Sequence, residues 1–134
     1  MISVIVPTLN DEARLARALQ PLVGAAIEGL VREVIVVDGG STDATLEIAD
    51  DAGAVILNAT ADLPSRLARG REAAHTDWRL ILSPLKPLTA DWAVLAKAHL
   101  EAGRTGALTL PFAGRSTIDG LLGRGARLEP GKGR

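Results

Sequence analysis

Glu33-Val34-Ile35-Val36-Val37-Asp38-Gly39-Gly40-Ser41-Thr42-Asp43 is the stretch that decides how the chain folds. Four consecutive β-branched apolar residues predict a strand buried on both faces, as in a parallel sheet covered by helices. An acid, two glycines and a Ser-Thr-Asp helix start follow, which reads as a strand-loop-helix crossover. In open α/β sheets ligands bind beyond the carboxyl ends of the strands, so Asp38 is expected at a ligand's edge. Gly39 and Gly40 let the backbone turn sharply there.

Upstream, Ile2-Ser3-Val4-Ile5-Val6 predicts a first strand ended by Pro7, and Thr8-Leu9-Asn10-Asp11-Glu12 a helix start with acids in its first turn. Leu15, Ala18, Leu19, Leu22 and Val23 form one apolar stripe. Downstream, helices are expected over Thr42–Asp51, Pro64–Ala74 and Thr89–Ala102, and strands over Ala54–Leu57, Trp78–Leu82 and Gly106–Pro111. The alternation implies a three-layer α/β/α sandwich around a mostly parallel sheet of about five strands. Trp92, Leu95, Ala96, His99 and Leu100 fall on one helical face. Trp92 fits the core, His99 a satisfied half-buried position, and His75 a helix end where the dipole would hold it. From Phe112 to Arg134 the chain carries six glycines and a basic character. Residues 1–112 are read as the domain and 113–134 as a Gly/Arg-rich tail, with a helical turn over Thr117–Leu122 and mobility over the last ten residues.

The 134 residues suffice for one core, and 47% hydrophobic content excludes disorder of the whole chain. A net charge of -1 argues against a broad nucleic-acid-binding face. Without cysteine there is neither a disulfide nor thiolate chemistry. No basic leader precedes the first strand, and no apolar run approaches the roughly 20 residues that span a bilayer. The expectation is a cytoplasmic protein without a transmembrane segment. Arg124, Arg127, Lys132 and Arg134 read as solvated charge or as a peripheral contact with an anionic membrane surface.

Two motifs in order, Ser3-Val4-Ile5-Val6-Pro7-Thr8-Leu9-Asn10-Asp11-Glu12 and then Glu33 to Asp43, resemble the N-terminal half of the inverting family-2 glycosyltransferases of the GT-A fold. The resemblance extends more weakly to about Phe112. It implies a pocket for the nucleotide of an activated sugar, usually uridine diphosphate. Pro7, Thr8, Asn10 and Glu12 would line the nucleoside pocket. Asp38 would accept a hydrogen bond from the base imide, with Gly39, Ser41 and Asp43 bordering it; a carboxylate suits the single N–H of a uracil edge. Arg66, Arg69 and Arg71 would lie beside ribose and diphosphate, where a guanidinium pairs with phosphate oxygens; read as residues alone, they are a solvated helix face.

Two departures qualify what the resemblance implies. The family carries an acidic Asp-x-Asp type triplet after the fourth strand, whose acids hold a divalent metal. Here Ser83-Pro84-Leu85 occupies that place, so a metal is not expected at the usual site, and the Lys86 ammonium is the candidate to supply part of the metal's charge. The family's acceptor-binding half, with its general base, would follow the fifth strand. Within Phe112–Arg134 Asp119 is the single aspartate, and it is the candidate base. A homodimer or a partner protein that supplies the missing half is one consequence. Three functions stay open on the sequence: sugar transfer from a nucleotide-sugar, a non-catalytic regulatory or scaffold relative, and an unrelated nucleotide-binding α/β domain.

Overall fold

The computed structural model describes residues 1–111 and 126–131. Its elements, in chain order, are β1 (Ile2–Thr8), α1 (Glu12–Leu19), a 3-10 turn (Gln20–Leu22), α2 (Val23–Ile27), β2 (Val31–Asp38), α3 (Thr45–Asp51), β3 (Val55–Asn58), α4 (Leu63–Ala73), β4 (Trp78–Ile81), α5 (Trp92–Glu101), β5 (Leu108–Leu110) and β6 (Ala126–Pro130). They build one six-stranded sheet in the order β3-β2-β1-β4-β6-β5. β3, β2, β1 and β4 are parallel, and β6 lies antiparallel between β4 and β5.

Alternation along the strands sorts the core into two layers. Val4 and Val6 of β1, Leu80 of β4 and Leu128 of β6 pack with Leu15 and Leu19 of α1, Ala49 of α3, and Trp92 and Ala96 of α5. The Trp92 indole N–H, buried with its ring, donates to Pro21 O at 2.7 Å. On the other face, Ile5, Ile35 and Val37 pack with Leu67 and Ala73 of α4. β2 is therefore buried on both sides, as its four β-branched residues required.

Several boundaries depart from the sequence reading. β1 runs through Pro7 to Thr8. The amide of Leu82 donates to Ile5 O at 3.0 Å, just past the end of β4, so the strand next to Pro7 has ended and no ladder bond is lost. α3 begins at Thr45 rather than Thr42, because Thr42 and Asp43 are held in contacts with the turn after β1. Val23 is 52% exposed, since the stripe of α1 breaks at the Pro21 turn. Leu95 is exposed as well.

The largest correction lies in the stretch read as a mobile tail. Ala126–Pro130 is a sheet strand, so there are six strands rather than five. Ala126 and Leu128 are buried while Arg127 is exposed, the period-2 pattern of a strand covered on one face. Thr117–Leu122 and Asp119 lie outside the described residues. No helix among the described residues is long and apolar enough to cross a membrane.

Candidate nucleotide site

β1 and β2 pair so that Thr8 stands beside Asp38 at the carboxyl edge of the sheet. The turns that follow are bound to each other by side chains rather than by a ladder. Asp38 Oδ1 accepts from Thr8 Oγ1 at 2.7 Å and from Ser41 Oγ at 2.6 Å. Its Oδ2 accepts from the amides of Gly40 at 3.0 Å and Ser41 at 2.7 Å. Farther out, the amide of Asn10 donates to Ser41 Oγ at 2.8 Å, and Asn10 Oδ1 accepts from the amide of Thr42 at 2.8 Å. Asp43 accepts from the amide of Glu12 at 3.2 Å and from both the amide and the hydroxyl of Thr45. The Thr45 hydroxyl in turn accepts from the amide of Asp11 at 2.8 Å. Asn10 takes φ +51°, a left-handed turn that asparagine tolerates.

Asp38 is 1% exposed. Burial pushes its carboxyl upward, but the hydrogen bonds from Ser41, Thr8 and Gly40 outweigh burial and hold it below its ordinary range. Two hydrogen bonds at each oxygen fill the four acceptor positions of a carboxylate. Through these four bonds Asp38 ties the turn after β1 to the turn after β2. Asp43 is also lowered, chiefly by the Thr45 hydroxyl.

The cleft itself lies one step away, between the turn after β1, the first turns of α4 and the turn after β4. It encloses about 270 Å³ and is lined by Pro7, Leu9, Asp11, Leu63, Arg66, Leu67, Ile81, Leu82, Ser83, Pro84 and Leu85. Asp62 caps α4 by accepting from the amide of Ser65 at 2.8 Å, which aims the first turn of the helix at the sheet edge. One turn on, Arg66 donates from Nη1 to Thr8 O at 3.1 Å and from Nε to Ala61 O at 3.2 Å. Its guanidinium lies flat against Gly39, where a Cβ would sit 3.4 Å from it. Gly39 thus leaves the space that the arginine occupies.

Of the expected site residues, Pro7 and Arg66 line this cleft. Thr8, Gly39, Asn10, Ser41 and Asp43 form the linked turns behind it. Glu12 is exposed in the first turn of α1, and Arg69 is exposed on α4. Arg71 has another use: its Nε donates to Glu129 of β6 at 2.6 Å. Lys86 is exposed in the turn after β4, its amide donating to Ser83 O at 3.2 Å. His75 follows the end of α4 and pairs with Glu33, Nδ1 to Oε1 at 3.1 Å. His99 is half-buried, with Nε2 2.7 Å from Gly106 O. Leu9, Leu63 and Leu85 escaped the sequence reading. Their signal was an apolar residue at the apex or mouth of a turn, and all three are exposed at the cleft rim.

A metal fits the donor set poorly. Among the described residues no three His, Cys, Asp or Glu side chains stand together. The turn after β4 offers the Ser83 hydroxyl, which accepts from the amide of Leu85 at 3.2 Å. Among the described residues Asp11 is the one carboxylate that lines the cleft, and its Oδ2 accepts from the amide of Leu9 at 2.8 Å.

Comparison with known proteins gives this arrangement its context. Glucosyl-3-phosphoglycerate synthase of Mycolicibacterium smegmatis is 42% identical over 66 residues, 47% of this chain and 20% of that protein. The 4,4'-diaponeurosporenoate glycosyltransferase of Staphylococcus haemolyticus is 43% identical over 61 residues, 46% of this chain and 16% of that protein. The match thus spans about a fifth or less of the length of these relatives. Among solved structures, glucosyl-3-phosphoglycerate synthase of Mycobacterium tuberculosis in complex with Mn2+, uridine diphosphate and glucosyl-3-phosphoglycerate superposes with a TM-score of 0.62 at 27% identity, over 79% of this chain and 41% of that one. S. aureus TarS in complex with UDP-GlcNAc shares the fold, with a TM-score of 0.72 at 22% identity, over 87% of this chain and 36% of that one. The sequence profile described as glycosyl transferase family 2 matches residues 3–82, more than half of the chain and all of the cleft's wall up to Leu82. On that match the chain belongs to glycosyl transferase family 2.

Proposed function

We propose that the cleft between Pro7, Arg66 and Leu85 takes the nucleotide of a uridine-diphosphate sugar, and that the protein transfers the sugar to an acceptor. The observation that carries this reading is Arg66. Its guanidinium is held by two backbone carbonyls in the wall of a cleft at the carboxyl edge of a parallel sheet, where α/β folds bind ligands. A fork fixed in this way suits phosphate oxygens or the keto edge of a base. Leu9, Leu63 and Leu85 at the rim offer apolar surface to the flat base. Asp38 acts as a positioning residue: it holds the turn that carries Thr8 O, to which Arg66 is anchored. The family relationship and the uridine-diphosphate complex of the mycobacterial synthase support the donor class.

Calorimetric titration with uridine diphosphate tests the reading. The parent is expected to bind it, and Arg66→Ala to lose about 10- to 100-fold in affinity, the worth of one or two charge-assisted hydrogen bonds. Absence of binding by the parent would overturn it. The second reading, a relative that binds the donor without turning it over, is favoured by the lack of a carboxylate in Ser83-Pro84-Leu85. Release of sugar from a uridine-diphosphate sugar, followed over hours, separates the two.

A further inference from the structure

We infer that Gly39 is a positioning residue of the cleft: the bulk at position 39 decides where the Arg66 guanidinium stands, and with it the affinity for the nucleotide. The inference rests on the nucleotide reading of the cleft and adds the residue that sets the place of its arginine. Gly39 and Gly40 are neighbours in the turn after β2, yet the fold uses them differently. Gly40 takes φ +109°, a backbone conformation that residues with a side chain rarely adopt. The φ of Gly39 lies outside that region, so its backbone makes no such demand. A side chain at position 39 would meet a neighbour rather than backbone strain, and the neighbour is Arg66. A Cβ there would lie 3.4 Å from Cζ, 3.4 Å from Nη1 and 3.5 Å from Nε of the arginine. Near-equal distances to three atoms of one planar group mean that the Cβ would face the flat side of the guanidinium.

Two carbonyls hold the edge of the same group: Nη1 donates to Thr8 O at 3.1 Å and Nε to Ala61 O at 3.2 Å. Thr8 O also accepts from the amide of Gly39 at 2.8 Å, so glycine and arginine share one acceptor. The end of β1, the turn after β2 and the first turns of α4 thus meet at one guanidinium, in the wall of the cleft. A methyl at position 39 would come into ordinary contact with the flat face. Valine adds two carbons beyond its Cβ and, being branched, cannot turn both of them away. The turn is pinned by the bonds from the Gly40 and Ser41 amides to Asp38. The far end of the arginine chain is the softer partner and the one that yields. When it moves aside it gives up at least one of its two carbonyls, and the fork leaves the place where it meets the ligand.

A double-mutant cycle on the full chain, read by calorimetry with uridine diphosphate, tests the inference. Gly39→Ala is expected to weaken binding about threefold and Gly39→Val about tenfold or more. With Arg66→Ala already in place, adding Gly39→Val is expected to cost less than about twofold further, because the group it displaces is gone. The Nε–Hε resonance of Arg66 supplies a readout that does not depend on ligand. It is expected to move in Gly39→Val and to stay near its parent position in Gly39→Ala. Circular dichroism checks that the variants keep the fold. A Gly39→Val variant that binds as the parent does would overturn the inference and leave the nucleotide reading standing. So would a loss of the same size with and without Arg66, which is what a merely structural role of the turn would give. Equal losses in the alanine and valine variants would trace the effect to the backbone and would overturn it too. If the parent itself bound no nucleotide, the nucleotide reading would fail, and this inference with it.

Discussion

The hydroxyl of Thr8 donates to Oδ1 of Asp38 at 2.7 Å, joining the last residue of β1 to the last residue of β2. Both side chains are buried, and both head the turns that close one side of the cleft. Loss of one partner leaves the other buried without its bond, at a cost of about 1–3 kcal/mol. Asp38→Ala removes the acceptor of four hydrogen bonds and is expected to cost more than Thr8→Val, which removes one. Urea unfolding of the two variants checks the order. Equal stability of Asp38→Ala and parent would contradict the role assigned to this carboxylate.

Acid should weaken the same joint. Asp38 is held below its ordinary value of 3.8, and Glu33 and Glu129 are lowered too. In each, burial pushes upward and hydrogen bonds prevail: from Ser41 and Thr8 to Asp38, from Ser3 and His75 to Glu33, and from Arg71 and Arg127 to Glu129. A carboxyl whose folded value is depressed contributes stability that is fully present above its unfolded value. That contribution is lost as pH falls through the folded value. The urea midpoint is therefore expected to be level above the unfolded carboxylate range and to decline below it. Asp38→Asn should show a shallower acid decline than the parent; parallel curves would argue against the assignment.

Gly70 makes a packing prediction. It sits in the middle of α4 over the sheet, where a Cβ would stand 2.5 Å from Ile5 Cγ2 and 3.1 Å from Val37 Cγ2. Ile5 and Val37 are fully buried and β-branched, so neither methyl can swing away. Helix propensity alone favours alanine there by about 1 kcal/mol. Overpacking costs about 1–3 kcal/mol and should outweigh it. Gly70→Ala is thus expected to lower the melting temperature although it lies in a helix. A rise would mean that α4 stands farther from β1 than described.

β6 is fastened from the outside by Glu129. One of its oxygens accepts from Arg71 Nε at 2.6 Å and the other from Arg127 Nε at 2.9 Å. The arginines are 40% and 60% exposed, so the pair of contacts is worth about 1 kcal/mol after solvent screening. Glu129→Gln should speed amide hydrogen exchange in 126–130 while leaving β1 and β2 protected. Unchanged exchange in β6 would show that Leu128 and the ladder hold the strand without the ion pairs.

Most of the fold was legible because its signals are local. The β-branched run at Val34–Val37 reads as a strand covered on both faces, and apart from α2 the strands and helices of residues 1–111 lie within a few residues of their expected places. β6 was not legible. Ala126-Arg127-Leu128-Glu129-Pro130 is short, carries two charges and follows a glycine-rich stretch, so composition spoke for a tail. What makes it a strand is remote: the edges of β4 and β5, and Arg71 on α4. At the candidate site, the motif residues fall together at one corner of the sheet, beside the cleft. They did not reveal which line the cleft and which bond to each other, because that division depends on cross-turn hydrogen bonds between residues about 30 positions apart. Leu9 and Leu85 are ordinary leucines in sequence, and only the folded turns bring them to one rim.

The central claim is that the turns after β1, β2 and β4 and the start of α4 form one nucleotide-binding corner. Amide chemical shifts followed during titration of the full chain with uridine diphosphate test it most directly. The largest changes are expected at residues 8–12, 39–42, 63–67 and 82–86, with little change at the opposite edge around Glu33, His75 and Gly131. Changes concentrated at that opposite edge, or none at saturating nucleotide, would contradict it.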